Sequence, residues 1–152
     1  MSYRYNVNVT RVVDGDTVDV DIDLGFGMIY KKQRVRMMGI DTPESRTRDL
    51  EEKFYGLASK AHLKKLLKDQ KVQLLSHDKG KFGRILGELF ITVKEYEGTR
   101  YEIANEKSVN QMMIDNYHAV PYFGQSKDDT EKGHMWNREM LITEGIIYTK
   151  RL

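Results

Sequence analysis

No cysteine occurs among the 152 residues. Disulfides and thiolate metal sites are thereby excluded, any bound metal must take oxygen or imidazole ligands, and the compartment cannot be read from redox chemistry. Proline is nearly as scarce, with only Pro43 and Pro121. No apolar run approaches the ~18 residues that a membrane span requires. The opening Met-Ser-Tyr-Arg-Tyr-Asn-Val has no basic stretch leading into an apolar one. The expectation is a soluble protein of the cytoplasm or a host cell's interior; a trimmed secreted form would read the same. Nothing points to a membrane or an obligate protein partner. Repeats and low-complexity segments are also absent. The length suits one domain, 1–152, able to bury roughly 70 % of its unfolded surface without staples. Residues 146–152 read as a short strand or a loose tail.

Net charge is low as well, +2, but unevenly spread. Residues 12–23 carry five Asp and no Lys or Arg, a local charge of −5. Residues 60–84 carry seven Lys and one Arg against Asp69 and Asp78, a local charge of +6. Separate acidic and basic regions suit a polyanion site holding a cation, since the cation needs carboxylates and phosphates need Lys and Arg. For Lys60, Lys64, Lys65 and Lys68 a solvated helix face is the simpler reading.

Val18, Val20 and Ile22 alternate with charged residues at the strand period. With Val7–Val13 before them and Ile29–Met38 after the Gly25-Phe26-Gly27 turn, they predict a three-stranded meander. From Leu50 to Leu67 apolar residues fall at helical spacing. Strands are expected at Val72–Leu75 and Ile85–Val93, separated by a turn-like Asp78-Lys79-Gly80-Lys81. A hairpin tip is expected at residues 96–100, a capped helix from Ser108 to Asn116, and a third helix over Asp128–Thr143, stopped by Gly145. The class is α+β, with about five strands in a small closed or partly open barrel and about three helices.

Four pieces carry chemistry. Asp14-Gly15-Asp16-Thr17 places two carboxylates at a tight turn between strands, half of a site for a hard, oxygen-seeking cation or else an ordinary Asp-Gly turn. In Asp41-Thr42-Pro43-Glu44 the proline extends Thr42 and aims its carbonyl in a defined direction. That offers a backbone oxygen with two carboxylates, or else the segment is a helix N-terminus or a plain loop. Arg36 and Arg84 offer planar forks that match phosphate oxygens, although for Arg36, on an apolar strand, a merely solvent-facing role is the alternative. Arg36 and Asp41 stand an odd number of residues apart, so a straight strand would send them to opposite faces with Cα atoms ~16 Å apart. A shared site requires a bend, and Gly39 is the place for it.

In this order and at these spacings the four pieces closely resemble the staphylococcal nuclease (thermonuclease) family. Tyr55-Gly56 and Val109-Asn110 add to the likeness, which runs from about Val9 to Tyr122. The resemblance implies a five-stranded OB-fold barrel with three helices. It also implies a calcium-dependent nuclease cleaving phosphodiester bonds of DNA and/or RNA with little sequence preference. Asp16, Asp41 and the Thr42 carbonyl would be Ca²⁺ ligands, with Asp14 reaching the ion through water. Arg36, Glu44 and Arg84 match catalytic positions, while Lys81 and Tyr122 match substrate-contacting ones. Three departures bear on substrate preference rather than chemistry: Phe82 where well-known members have Tyr, a longer 92–107 stretch, and Pro121.

Two other readings compete. One is a non-catalytic OB-fold module that binds nucleic acid; decay to it would be expected to remove at least one of Asp16, Arg36, Asp41, Glu44 or Arg84, and all are present. The other takes Asp41 with Glu51-Glu52-Lys53 as a restriction-type Asp…Glu-x-Lys site, although these residues read better as the acidic start of a helix. His62, His77, His118 and His134 show no ligand spacing, which disfavours a histidine-bound metal.

Overall fold

Valines and isoleucines alternating with charged residues build most of the barrel wall. In the computed structural model, which describes residues 2–79 and 83–147, three strands form the expected meander: β1 (Tyr3–Asp14), β2 (Thr17–Gly25) and β3 (Met28–Met37). Val18, Val20 and Ile22 of β2 are buried, with Val35 and Met37 of β3. β4 (Ile40–Asp41) follows, then α1 (Leu50–Leu67), β5 (Val72–Lys79), β6 (Ile85–Glu95), β7 (Ile103–Ser108), α2 (Val109–Asp115), β8 (Val120–Pro121) and α3 (Lys127–Thr143).

The main sheet runs β3-β2-β1-β5-β6-β7, and β3 also pairs in parallel with β6, Val35 opposite Ile85 and Met37 opposite Gly87. That extra pairing closes five strands into a cycle, the barrel expected of the OB fold, and removes their free edges. β7 hangs on β6 as a sixth strand, joined to it by the hairpin at residues 96–102. The sequence reading had the hairpin tip but not this strand, whose apolar positions are exposed or nearly so. Asp78 and Lys79 continue β5 instead of opening a turn. Lys81, Phe82 and the end of the tail, 148–152, lie outside the described residues.

α1 is capped by Asp49, which accepts hydrogen bonds from the Glu51 and Glu52 amides. Glu51 to Lys53 therefore occupy a helical first turn, where acids are favoured by the helix dipole, and the restriction-type pattern has no strand to sit on. Tyr55, Ser59, Leu63 and Leu67 recur every fourth residue along the buried stripe, and Leu63 and Leu67 join the barrel core. α2 starts at Ser108, whose hydroxyl accepts from the Gln111 amide at 3.2 Å, and buries Val109 and Met113. α3 starts one residue earlier than expected, capped by Ser126. Among the described residues no helix is long and apolar enough to cross a membrane.

Candidate active site

Gly15 and Asp16 make the turn from β1 into β2, and only glycine fits at its first position. A Cβ on Gly15 would lie 2.8 Å from the Ser59 Cβ and 3.1 Å from the Thr42 Cγ2. The turn thus sits pressed between α1 and the Asp41-Thr42 segment, which explains how Asp16 comes to be only 9 % exposed.

The bend expected at Gly39 is present. β3 stops at Met37, and Gly39 adopts φ +81°, a left-handed conformation that glycine takes without a steric penalty. The chain then leaves the barrel as β4, which pairs with β8, Ile40 opposite Pro121. Pro121 is tolerated because this two-stranded ladder is all edge. Buried Asn110 fixes the bend: its Nδ2 donates to the Met38 carbonyl at 2.9 Å, and its Oδ1 accepts from the Leu89 amide at 3.1 Å. From the other side, the Tyr122 amide donates to the Gly39 carbonyl at 2.8 Å.

As a result, residues far apart in sequence converge. Arg36 Nη2 lies 3.5 Å from Asp16 Oδ2 and 3.6 Å from Asp41 Oδ1, while Nη1 donates to the Met37 carbonyl at 2.8 Å. Asp16 Oδ1 accepts from the Thr17 hydroxyl at 2.9 Å, and Oδ2 from the Thr42 amide at 3.3 Å. Asp14 accepts from the hydroxyl of buried Ser45. Asp41 Oδ2 accepts from His134 Nε2 at 2.8 Å.

His134 was missed by the sequence reading, which looked only for ligand spacing among the histidines. It arrives from α3, 93 positions away. A local sign did exist. Gly133 lies inside a helix, where glycine costs about 1 kcal/mol relative to alanine, and a Cβ there would meet Val120 Cγ1 at 3.0 Å. An interior glycine of this kind marks close approach, here of α3 onto β8 beside Asp41.

The residues present fit a hard cation. Two carboxylates face one positive group, the donors are all oxygen, and the Thr42 hydroxyl is buried without a partner among the described residues. No three acidic or histidine groups form a ready-made cage among those residues. Backbone oxygen and water would have to complete the shell, as Ca²⁺ with its 6–8 ligands readily permits.

The other expected residues are more dispersed. Glu44 is exposed, and its charge adds to burial in raising the pKa of Glu52, so it faces the start of α1. Its backbone is held tightly, since a Cβ on Gly56 would fall 2.2 Å from the Glu44 carbonyl oxygen. Arg84, just ahead of β6, lines a groove with Arg34. Tyr122 is about half exposed on the segment that pins Gly39.

Comparison with known proteins supplies the lineage. The family model described as staphylococcal nuclease homologue matches residues 34–141. The chain belongs to the staphylococcal nuclease family. Thermonuclease of Staphylococcus hyicus is 36 % identical over 85 residues, covering 55 % of this chain and 47 % of that protein. Micrococcal nuclease of Shigella flexneri is 29 % identical over 122 residues, 79 % and 61 % of the two chains. Endonuclease YncB of Bacillus subtilis (strain 168) is 28 % identical over 155 residues, 91 % and 64 %. The alignments thus span about half to two thirds of these relatives' lengths. For this family member the match begins within β3 and ends in α3, so it includes Arg36, Asp41, Glu44, Arg84 and His134, but not the Asp-Gly-Asp turn.

Proposed function

We propose that this staphylococcal nuclease homologue is a calcium-dependent nuclease that hydrolyses phosphodiester bonds of DNA and/or RNA with little sequence readout. The observation that carries this reading is the convergence of Asp16 and Asp41 on the Arg36 guanidinium. The relatives' names, thermonuclease, micrococcal nuclease and endonuclease, agree with it.

Hydrolysis joins a water oxygen to phosphorus and releases the ester oxygen, which takes up a proton. Negative charge grows on the non-bridging oxygens and on the leaving oxygen. Ca²⁺ held by Asp16, Asp41 and the Thr42 carbonyl, with Asp14 contacting it through water, would supply a Lewis acid and a template for the attacking water. Arg36 stabilises the growing charge. Its Nη1 is anchored on the Met37 carbonyl, which holds the guanidinium plane in place so that Nη2 is positioned to donate to a phosphate oxygen. Arg84 approaches from the groove side and meets the leaving oxygen. Glu44 accepts the water's proton or orients the water, from an exposed side chain on a closely packed backbone. By the family resemblance Lys81, outside the described residues, would contact a phosphate and Tyr122 would lie beside the nucleotide.

The test is cleavage of single-stranded DNA with Ca²⁺, with excess EGTA, and by Arg36→Ala in parallel. Calcium-dependent cutting that disappears in the variant is expected. Binding without cutting under any divalent cation would make the barrel a nucleic-acid-binding module instead.

A further inference from the structure

The bulge in β1 redirects one arginine between two basic grooves. Val9 pairs with Val20 of β2, but Arg11, not Thr10, pairs with Asp19, so Thr10 is the extra residue of a β-bulge. Before the bulge Tyr5, Val7 and Val9 are the more buried residues; after it Val12 is buried, leaving Thr10 and Arg11 consecutively exposed. Bulges commonly re-aim a side chain in this way. Here the two re-aimed residues line both grooves.

The first groove, near 940 Å³, is bordered by Arg11, Lys32, Arg34 and Arg84, with Asp19 as its one carboxylate. Asp19 is already committed. Arg34 holds it at 2.9 and 3.1 Å, and that hydrogen bond keeps its pKa low. Arg34 is two residues before Arg36 on the same face of β3, roughly 7 Å along the strand. This groove therefore opens directly beside the candidate active site.

The second groove, near 730 Å³, lies between β1 and α1 and is bordered by Arg11, Lys60, Lys64 and Lys68, with Asp69 as its one carboxylate. The lysines recur every fourth residue and line about 12 Å of the helix. Among the described residues none of Arg11, Lys60, Lys64 or Lys68 makes an ion pair. The two grooves together hold seven cationic side chains against two carboxylates. The three lysines of the second groove, without an ion pair among the described residues, repel one another and Arg11, a cost that a polyanion laid along them lowers.

We infer that the two grooves form one phosphate track, along which a single-stranded nucleic acid runs from the candidate active site over Arg11 to the lysine face of α1. This deepens the nuclease reading by giving that site an extended strand as substrate. It also replaces the solvated-face expectation for Lys60, Lys64 and Lys68. A flexible single strand suits the path, which turns from the barrel wall onto a helix, better than a stiff duplex does.

The experiment measures binding of a fluorescein-labelled oligothymidylate of about 20 nucleotides by anisotropy, in EGTA so that nothing is cut, over a range of salt concentrations. The variants are the triple Lys60→Ala/Lys64→Ala/Lys68→Ala and the single Arg11→Gln. If the track exists, the triple variant binds at least ~10-fold more weakly at low salt, and its slope of log affinity against log salt is about 2 smaller. Arg11→Gln shows a weaker form of the same effect and serves alone if the triple variant does not fold. Unchanged affinity and slope in a folded variant overturn the inference. So does a variant that keeps the oligonucleotide and loses only an acidic peptide such as polyglutamate. Cleavage of a dinucleotide with Ca²⁺, too short to reach α1, is expected to be equal in parent and triple variant. If the parent, given Ca²⁺, cuts neither the dinucleotide nor the oligothymidylate, the nuclease reading fails while the binding data in EGTA still decide the track.

Discussion

The carboxylate cluster and the lysine groove are both charged regions, yet they are built on opposite terms. In the cluster every charged side chain has a polar partner: Arg36 has Asp16 and Asp41, Asp41 also has His134, and Asp14 has the Ser45 hydroxyl. Asp16 and Thr42 are almost wholly buried. In the groove Lys64 and Lys68 are exposed and unanswered among the described residues. Removing one partner of a buried set leaves a desolvated group behind, which is costly, whereas removing one exposed lysine strands nothing. The cluster should therefore respond steeply and non-additively to single changes. The groove should respond weakly, in proportion to charge removed, and mainly as a function of salt.

The largest effect that would separate the two regions is expected from Glu44→Gln. It should lower kcat by about 100-fold or more while leaving Ca²⁺ affinity by calorimetry within about twofold, because Glu44 stands outside the converging oxygens. Lost Ca²⁺ binding would move Glu44 into the ligand set. Next comes His134→Ala, expected to weaken Ca²⁺ binding roughly tenfold by freeing the Asp41 carboxylate; unchanged affinity would show that the α3 contact is only packing. Gly56→Ala tests whether cluster geometry depends on the tight backbone crossing. Overpacking there should cost about 1–3 kcal/mol and lower Tm by several degrees, and a variant melting like the parent would mean that the crossing can relax.

A subtler contrast concerns titration. His62 and His118 stack with ring centroids 4.4 Å apart. Burial pushes both below the usual imidazole value, His118 to about 4, with each deprived of a partner at one ring nitrogen among the described residues. The unfolded chain binds these protons near pH 6.5 and the folded one does not. The stability they contribute is therefore present above pH ~6.5 and falls as pH drops toward 4. His118→Phe should shallow the fall of Tm between those values by a few degrees; an identical profile would relieve the pair of that role. The smallest effect is expected from Lys64→Ala, with Tm within about 1 °C of the parent and dinucleotide cleavage unchanged.

Much of the barrel was legible because strand alternation and helical spacing are local. Thr17–Ile22, Leu50–Leu67 and the Ser108 cap each declare themselves within a few residues, and odd-numbered spacing between Arg36 and Asp41 demanded the bend at Gly39. β7 escaped because residues 103–108 bury almost nothing and are strand only by pairing with β6. His134 escaped for the opposite reason: its partner is local in space alone.

By itself, the sequence determined which chemistry is available: paired carboxylates at a glycine turn, two arginines, no thiols, and acidic and basic segments kept apart. Tertiary structure alone decided which of these groups meet. The parallel β3–β6 pairing, the Gly39 bend fixed by Asn110 and the docking of α3 bring Arg36, Asp16, Asp41 and His134 within hydrogen-bonding or ion-pairing range. The β1 bulge likewise decides that Arg11 joins two grooves. The physical reason is range. Propensity and periodicity act over a few residues, while these contacts close loops of tens of residues and form only when the whole core packs.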